Sequence, residues 1–429
     1  MNNSKLKESN IKWLGKIPDN WKTIKFNALY DLRNEKVSDK DFPPLSVTKM
    51  GIVPQLSNAA KTNNGDNRKL VEIGDFAINS RSDRRGSCGI SKYEGSVSLI
   101  NTVLKPINRE MNPRYYGWLF KTVEFADEFY KWGHGIVDDL WTTNWQDMKN
   151  ITLVCPSKTE QNKIADFLDK KVSQIDDISK KIQQEITDLE AYRKSVITKT
   201  ITKGLNPNVP MKDSGIEWIG KIPTDWSVIR LKYLGSAGNG LTYSPQNMTD
   251  ESGTLILRSS NIQHGEIVNA DNVYVNSSVS KSLILKKDDL LICSRNGSKD
   301  LIGKNALINK EFIGSSFGAF MCVFRSKYNQ YIYYVLNSNI FKFYVGSFLT
   351  STINQLTKHN LYNLAFPFPQ KENERKQIIA FLKEKCENIN HLITHKKDQL
   401  KLLNQYKQSI IYEYVTGKKP VPTEEGVQE

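Results

Sequence analysis

The sequence predicts a mixed α/β protein in which two pseudo-repeated globular α/β domains are separated by an antiparallel two-helix coiled coil. Three observations predict it. A short lead-in occurs twice, I-K-W-L-G-K-I-P-D-N-W at 11–21 and I-E-W-I-G-K-I-P-T-D-W at 216–226, offset by 205 residues. A long heptad-patterned segment follows in each half, at 160–200 and 374–414, offset by 214. Between lead-in and heptads lie two inserts, 22–150 and 227–362, that resemble each other far less. A duplicated frame holding two divergent inserts suits a molecule that reads two different things with one geometry.

The 429 residues are enough for two or three domains with cores of their own. Charged residues at 25% and apolar residues at 39% describe an ordinary globular chain. No run approaches the roughly 18 apolar residues of a membrane span, and M-N-N-S-K-L-K-E carries no apolar signal region. Cys88, Cys155, Cys293, Cys322 and Cys386 lack CxxC spacing, so free thiols in a reducing cytoplasm are expected. The net charge of +14 leaves two readings, a basic surface without a specific partner or a site for a polyanion. Charge alone does not choose among DNA, RNA and anionic lipid.

The lead-in is rich in turn chemistry at Gly15-Lys16-Ile17-Pro18 and Gly220-Lys221-Ile222-Pro223, which predicts a bent, extended segment. Trp13, Trp21, Trp218 and Trp226 read as anchors onto a neighbouring surface, with base stacking as the alternative. In the first heptad segment the seam is Leu168, Val172, Ile175, Ile182, Ile186, Leu189 and Val196, with Ser179 and Arg193 filling steps. In the second it is Leu382, Cys386, Ile389, Ile393, Leu400, Leu403 and Ile410, with Lys396 and Lys407 filling steps. Sustained heptads with polar interruptions predict a two-stranded coiled coil whose register the polar positions fix. The expected boundaries are a first domain at 1–155, a helix and linker at 156–205, a second domain at 206–368, a second helix at 369–417 and a disordered tail at 418–429.

Within the inserts, Gly74-Asp75-Phe76-Ala77-Ile78-Asn79-Ser80-Arg81 aligns with Asp288-Asp289-Leu290-Leu291-Ile292-Cys293-Ser294-Arg295. Each reads as a strand running into a Ser-Arg loop, after which the two diverge. The aromatic segments 115–132 and 328–348 read as core helices. Arginine can pair bidentately with guanine and asparagine with adenine, while serine and lysine reach phosphates. Candidate DNA contacts in the first insert are therefore Thr48, Lys49, Ser80, Arg81, Arg84, Arg85, Ser87, Thr143 and Asn144. In the second they are Arg258, Ser259, Asn261, Ser294, Arg295, Asn296, Ser298 and Lys299. For each residue taken singly, a solvated loop is the competing reading. Weaker candidates are His134-Gly135 and the stretch from Ser347 to Gln355.

Catalytic motifs are scarce. The chain has no P-loop, HExxH or GxSxG, and no Asn-Pro-Pro-aromatic tetrad of the kind amino-methyltransferases use. His391 and His395 stand at i, i+4 without a third ligand, so no metal is expected. Asp138, Asp139, Asp147 and Lys149 faintly suggest a nuclease site, which the second half does not repeat.

The chain resembles the DNA-specificity subunits of type I restriction–modification systems. The likeness rests on W-x-G-x-I-P-x-x-W at 13–21 and 218–226 and on P-x-x-x-E-Q-x-x-I-x-x-F-L at 156–168, with Glu374-Arg375 standing where the first copy has Glu160-Gln161. The resemblance implies two target-recognition domains, each reading one half of a bipartite, asymmetric site in double-stranded DNA. It implies that the paired helices set the unread spacer and dock two methyltransferase subunits. S-adenosylmethionine would then belong to the methyltransferase, and ATP and Mg to two endonuclease/translocase subunits where these exist. The chain itself would be non-catalytic and cytoplasmic. The competing reading is a coiled-coil scaffold whose globular ends bind proteins, which leaves the +14 charge and the paired Ser-Arg loops without a role.

Overall fold

A computed structural model describes residues 5–56, 65–81, 84–136, 141–349 and 354–422. The helices are α1 (Pro113–Phe120), α2 (Val123–Lys131), α3 (Trp145–Met148), α4 (Lys158–Lys203), α5 (Asn329–Leu336), α6 (Asn339–Gly346), α7 (Lys358–Asn363) and α8 (Glu372–Val415). The chain divides into two compact units, 1–183 with 398–429, and 184–397. Each long helix therefore contributes one half to each unit.

In the first unit, the strand Leu6–Glu8 pairs antiparallel with Lys16–Pro18, which makes the lead-in a small hairpin. The insert is closed at its base, because its first strand, Lys22–Lys25, pairs with its last, Thr152–Cys155. Inside lie β1 (Tyr30–Leu32), β2 (Phe76–Asn79), β3 (Cys88–Ile90) and β4 (Asn101–Pro106), in the sheet order β3-β2-β4-β1. Both faces of β2 are covered. Phe76 and Ile78 join a core with Phe26, Tyr30 and Phe120, and Ala77 joins a smaller cluster with Val71, Val97 and Val103. A period of two, buried on both sides, explains why this strand reads as a continuous apolar run.

The second unit repeats the plan. Met211–Asp213 pairs with Lys221–Pro223, and Trp226–Arg230 pairs with Ala365–Pro369 to close the insert. Its sheet holds β5 (Ser236–Asn239), β6 (Leu290–Cys293), β7 (Asn305–Leu307) and β8 (Met321–Arg325), in the order β7-β6-β8-β5. Leu290 and Ile292 face one core, Leu291 and Cys293 the other. The turn before each central strand is built alike. Asp75 accepts the amide of Glu72 at 2.9 Å and pairs with Arg33 at 2.6 Å, while Asp289 accepts the amide of Lys286 at 3.0 Å and pairs with Arg325 at 3.0 Å.

The predicted seam is buried or half-buried along its length. In the first unit, Lys407 pairs with Asp176 at 2.5 Å and the Phe167 and Tyr414 rings lie 4.5 Å apart, so the chains run antiparallel. In the second, Lys396 pairs with Glu185 at 2.6 Å and Arg193 donates to Asn390, again antiparallel. Helix α4 starts with a reciprocal box, since Glu160 N donates to Ser157 Oγ and Ser157 N donates to Glu160 Oε2. Both helices stop on a left-handed glycine, Gly204 at φ +73° and Gly417 at φ +70°.

Both lead-ins meet a helix start through the same contact. Trp21 Nε1 donates to Glu160 at 3.1 Å, and Trp226 Nε1 donates to Glu374 at 3.0 Å. Trp13, Trp21 and Trp226 are buried anchors. Trp218 is not: it is 46% exposed and its ring stacks 5.2 Å from Phe343 of α6, whereas the buried Trp13 meets Phe125 of α2 edge-on at 6.1 Å. Described chain continues from Lys418 to Pro422, within the stretch where the sequence suggested a disordered tail, and residues 423–429 lie outside the described residues. The amide of Lys418 donates to Glu413 O at 2.8 Å, and Val421 packs against the first core.

Candidate nucleic-acid interface

In both units the central strand delivers a Ser-Arg pair to the surface. Ser80 O accepts the amide of Thr143 at 3.0 Å, and Arg81 forms an isolated antiparallel bridge with Thr142. Ser294 O accepts the amide of Leu356 at 2.7 Å, and Arg295 bridges Gln355 in the same manner. A returning segment thus clamps the backbone of each pair and leaves the arginine side chain exposed. Among the described residues neither Arg81 nor Arg295 has an acidic partner; the Arg295 guanidinium rests 5.4 Å above the Phe320 ring. Guanidinium groups held by their backbone yet unpaired at the fork are equipped to meet phosphate or the edge of guanine.

Two of the other candidate arginines are committed to acidic partners. Arg85 pairs with Asp127 and lies 4.8 Å over Tyr130, whose ring stacks 5.6 Å from Trp141. Arg258 pairs with Asp271 at 2.7 Å. Such pairs fix the shape of the surface around the free arginines. Lys49 is exposed at the tip of a hairpin, beside Thr48, whose hydroxyl donates to Gly51 O at 2.9 Å. Arg84, Asn144, Ser298 and Lys299 are exposed, and Asn144 caps α3 through the amide of Asp147. Ser80 shares a hydroxyl contact with Thr102 at 2.8 Å, and Ser294 Oγ donates to Phe320 O at 2.9 Å. Asn296 donates to Ser259 Oγ at 3.2 Å.

Three predicted contacts are corrected. Ser87 (5% exposed), Thr143 (1%) and Asn261 (0%) are buried and cannot touch DNA without unfolding their loops. Thr143 Oγ1 donates to Phe129 O at 3.0 Å, and Asn261 accepts the amide of Arg258 while donating to Ala270 O at 2.8 Å. They build the surface rather than form it. Ser87 lies in the hairpin after β2, where its carbonyl accepts the amide of Asn79.

In the second unit Arg258, Ser259, Arg295 and Asn296 meet in an open cleft of about 590 Å³, together with Tyr243, Met248 and Phe320. In the first, Ser80, Arg81 and Arg85 border one pocket with Tyr130 and Trp141. The aromatic residues escaped the sequence reading, as nothing in their local pattern separates a surface ring from a core ring. An exposed aromatic beside free donors offers stacking and methyl contact in addition to hydrogen bonds.

The suggested nuclease group does not come together in the described part. Asp147 contacts His134 Nε2 at 3.0 Å and Lys149 donates to Gln146, while Asp138 and Asp139 lie outside the described residues. Of the weaker stretch at 347–355, residues 350–353 also lie outside. Among the described residues no three His, Cys, Asp or Glu side chains form a metal-sized group, and His391 and His395 are exposed on α8. The five cysteines are free; burial pushes the Cys88 thiol up to about 12 and the Cys322 thiol up to about 11, away from nucleophilic use. No described helix is long and apolar enough to cross a membrane.

Known proteins resemble this chain in sequence and in fold. The family model for the type I restriction modification DNA specificity domain matches residues 18–188 and again 223–402. The MjaVIII type I restriction enzyme specificity subunit of Methanocaldococcus jannaschii is 26% identical over 338 residues, covering 76% of this chain and 74% of that one. The EcoKI specificity subunit of Escherichia coli K12 is 25% identical over 211 residues, covering 46% and 44%. A solved chain from work on complex assembly and conformational transition of the type I R-M system shares the fold, with a TM-score of 0.68 at 13% identity, covering 94% of this chain and all of that one. With the family model matching twice, each time from the recognition domain into its long helix, the chain belongs to the family of type I restriction–modification DNA specificity subunits.

Proposed function

We propose that the chain gives a type I restriction–modification complex its address, with one recognition domain for each half of a bipartite DNA site. The observation that carries this reading is the pair of Ser-Arg loops, presented by equivalent strands and clamped alike, yet set in different surroundings. One frame with two different surfaces calls for two different half-sites and hence a non-palindromic target. The paired halves of α4 and α8 would hold the unread spacer at fixed length and receive two methyltransferase subunits. Those subunits would methylate adenine from S-adenosylmethionine, and two endonuclease/translocase subunits using ATP and Mg would complete a restriction complex. This chain would then supply recognition in the cytoplasm and no catalytic group.

The test is a genome-wide map of methylated adenine in host cells with and without the gene. A bipartite motif with a fixed gap that vanishes on deletion is the expected result. An unchanged map, with the methyltransferase expressed, would favour a protein scaffold instead.

A further inference from the structure

The second unit carries a further basic cleft, lined by other residues than the one that holds Arg258 and Arg295. Its volume is about 690 Å³, and it opens between the recognition domain and the α4 half that belongs to the same unit. Arg193 and Lys194 come from α4, Lys299 and Lys304 from the loop after β6, and Lys342 from α6; Asp300 is the single carboxylate in the lining. Lys299 and Lys342 are exposed and Lys194 half-exposed, and among the described residues none of these three has an acidic partner. Lys304 links this cleft to the reading surface, because its ammonium donates to Ser259 O at 3.2 Å.

A second observation comes from the duplicated frame. Position 407 is the repeat of 193, and 390 is the repeat of 176, at the offset of 214 that relates the two helices. In the first unit the cation at this step, Lys407, is neutralised by the carboxylate of Asp176. In the second, Arg193 meets the amide of Asn390, so its charge stays uncompensated and faces the cleft. His264 senses the result. Lys397 Nζ stands 3.4 Å from its ring, and burial, then Lys397 and Arg193, hold its pKa below the ordinary histidine range, with Lys304 adding to this and Glu190 opposing it. Cations gathered on a concave surface, with one carboxylate withheld that the sister copy supplies, mark a place built for an anion.

We propose that this cleft holds the sugar–phosphate backbone of DNA beside the second half-site, with Lys194, Lys299 and Lys342 as phosphate contacts that carry no sequence information. The inference rests on the DNA-specificity reading. The phosphates position the duplex so that Arg295 and its neighbours meet base edges, the division of labour usual between backbone and base contacts.

The test uses the full chain co-expressed with its methyltransferase, with cognate and scrambled duplexes titrated across a range of salt. Each phosphate contact contributes about 0.9 to the slope of log affinity against log salt, so a Lys194→Gln/Lys299→Gln/Lys342→Gln variant should flatten the slope by roughly 2 to 3. Cognate and scrambled affinities should fall together, leaving their ratio and the methylated motif unchanged. Asn390→Asp should neutralise Arg193 without altering the lining and flatten the slope by up to about 1.

An unchanged slope in the triple variant, while the wild type still prefers its cognate duplex, would overturn the cleft assignment alone. So would a loss confined to particular bases, which would make these lysines readers. Loss of methyltransferase association with the slope intact would assign the cleft to an acidic protein surface. A wild type that prefers no sequence would instead sink the specificity reading. Thermal midpoints of the variants no lower than that of the wild type exclude misfolding as the cause of a fall.

Discussion

The two recognition domains agree where the chain is held and differ where it is free. Each closes its insert by pairing first strand with last, ties a lead-in tryptophan to a helix-start glutamate, and clamps a Ser-Arg pair with a returning segment. Beyond the clamp the first domain packs Arg85 over a Tyr130–Trp141 stack, whereas the second opens a cleft floored by Phe320 and Arg258. The backbone amides and carbonyls must find partners in any sequence, so the strand ends and their clamps are constrained. The side chains past the clamp face solvent or ligand and carry no such constraint. Specificity can therefore change without the frame changing.

The comparison breaks most visibly if the frame contacts are not equivalent. Trp21→Ala and Trp226→Ala each empty a buried indole site and strand a glutamate, and each should cost about 3–5 kcal/mol in urea unfolding of the full chain. Trp218→Ala, at a half-exposed ring, should cost less than about 1 kcal/mol. Equal costs at Trp218 and Trp226 would mean that the second lead-in is held differently from what its hydrogen bond to Glu374 indicates.

A smaller effect sharpens the comparison at the loops. Arg81→Ala and Arg295→Ala should each weaken binding by about 1–3 kcal/mol, through one half-site only, and relax the methylated motif there. Binding to duplexes scrambled in one half at a time separates the two. A uniform loss on all duplexes would reduce both arginines to phosphate clamps. A loss from Arg81→Ala that tracks the half-site of Arg295 would end the one-domain, one-half assignment.

Much of this was legible because it repeats or is periodic. The lead-ins, the heptads and the strands at 75–78 and 289–293 carry their own spacing, and the aromatic segments fall on α1, α2, α5 and α6. The site was legible only in part, since a polar residue in a loop has the same local sequence whether it faces water or backbone. Thr143 and Asn261 look like readers, yet their partners, Phe129 O and Ala270 O, are supplied by the fold. The unlike fates of Trp13 and Trp218 were equally hidden, because the covering ring, Phe125, lies over a hundred residues away from its tryptophan. Free and committed arginines could not be sorted either, since Asp127 and Asp271 meet Arg85 and Arg258 only across the folded surface.

The smallest expected effect lies in the helices, at the step where one copy has the carboxylate of Asp176 and the other the amide of Asn390. Asp176→Asn would give the first unit the amide that the second has at Asn390, and Asn390→Asp the reverse. Lys407 is half-buried, and Lys121 feels both its charge and that of Lys92, so Asp176 offsets a local excess of cations. Removing that carboxylate should destabilise the first unit by up to about 1 kcal/mol, the scale of a partly exposed pair, and Asn390→Asp should stabilise the second by no more than that. Both shifts are electrostatic and should shrink toward zero near 1 M salt, where charges are screened beyond about 3 Å. Urea midpoints for the two variants at low and high salt measure this directly. A salt-independent loss in Asp176→Asn would show that Asp176 acts by packing, and that the charge difference between the copies is incidental to helix pairing.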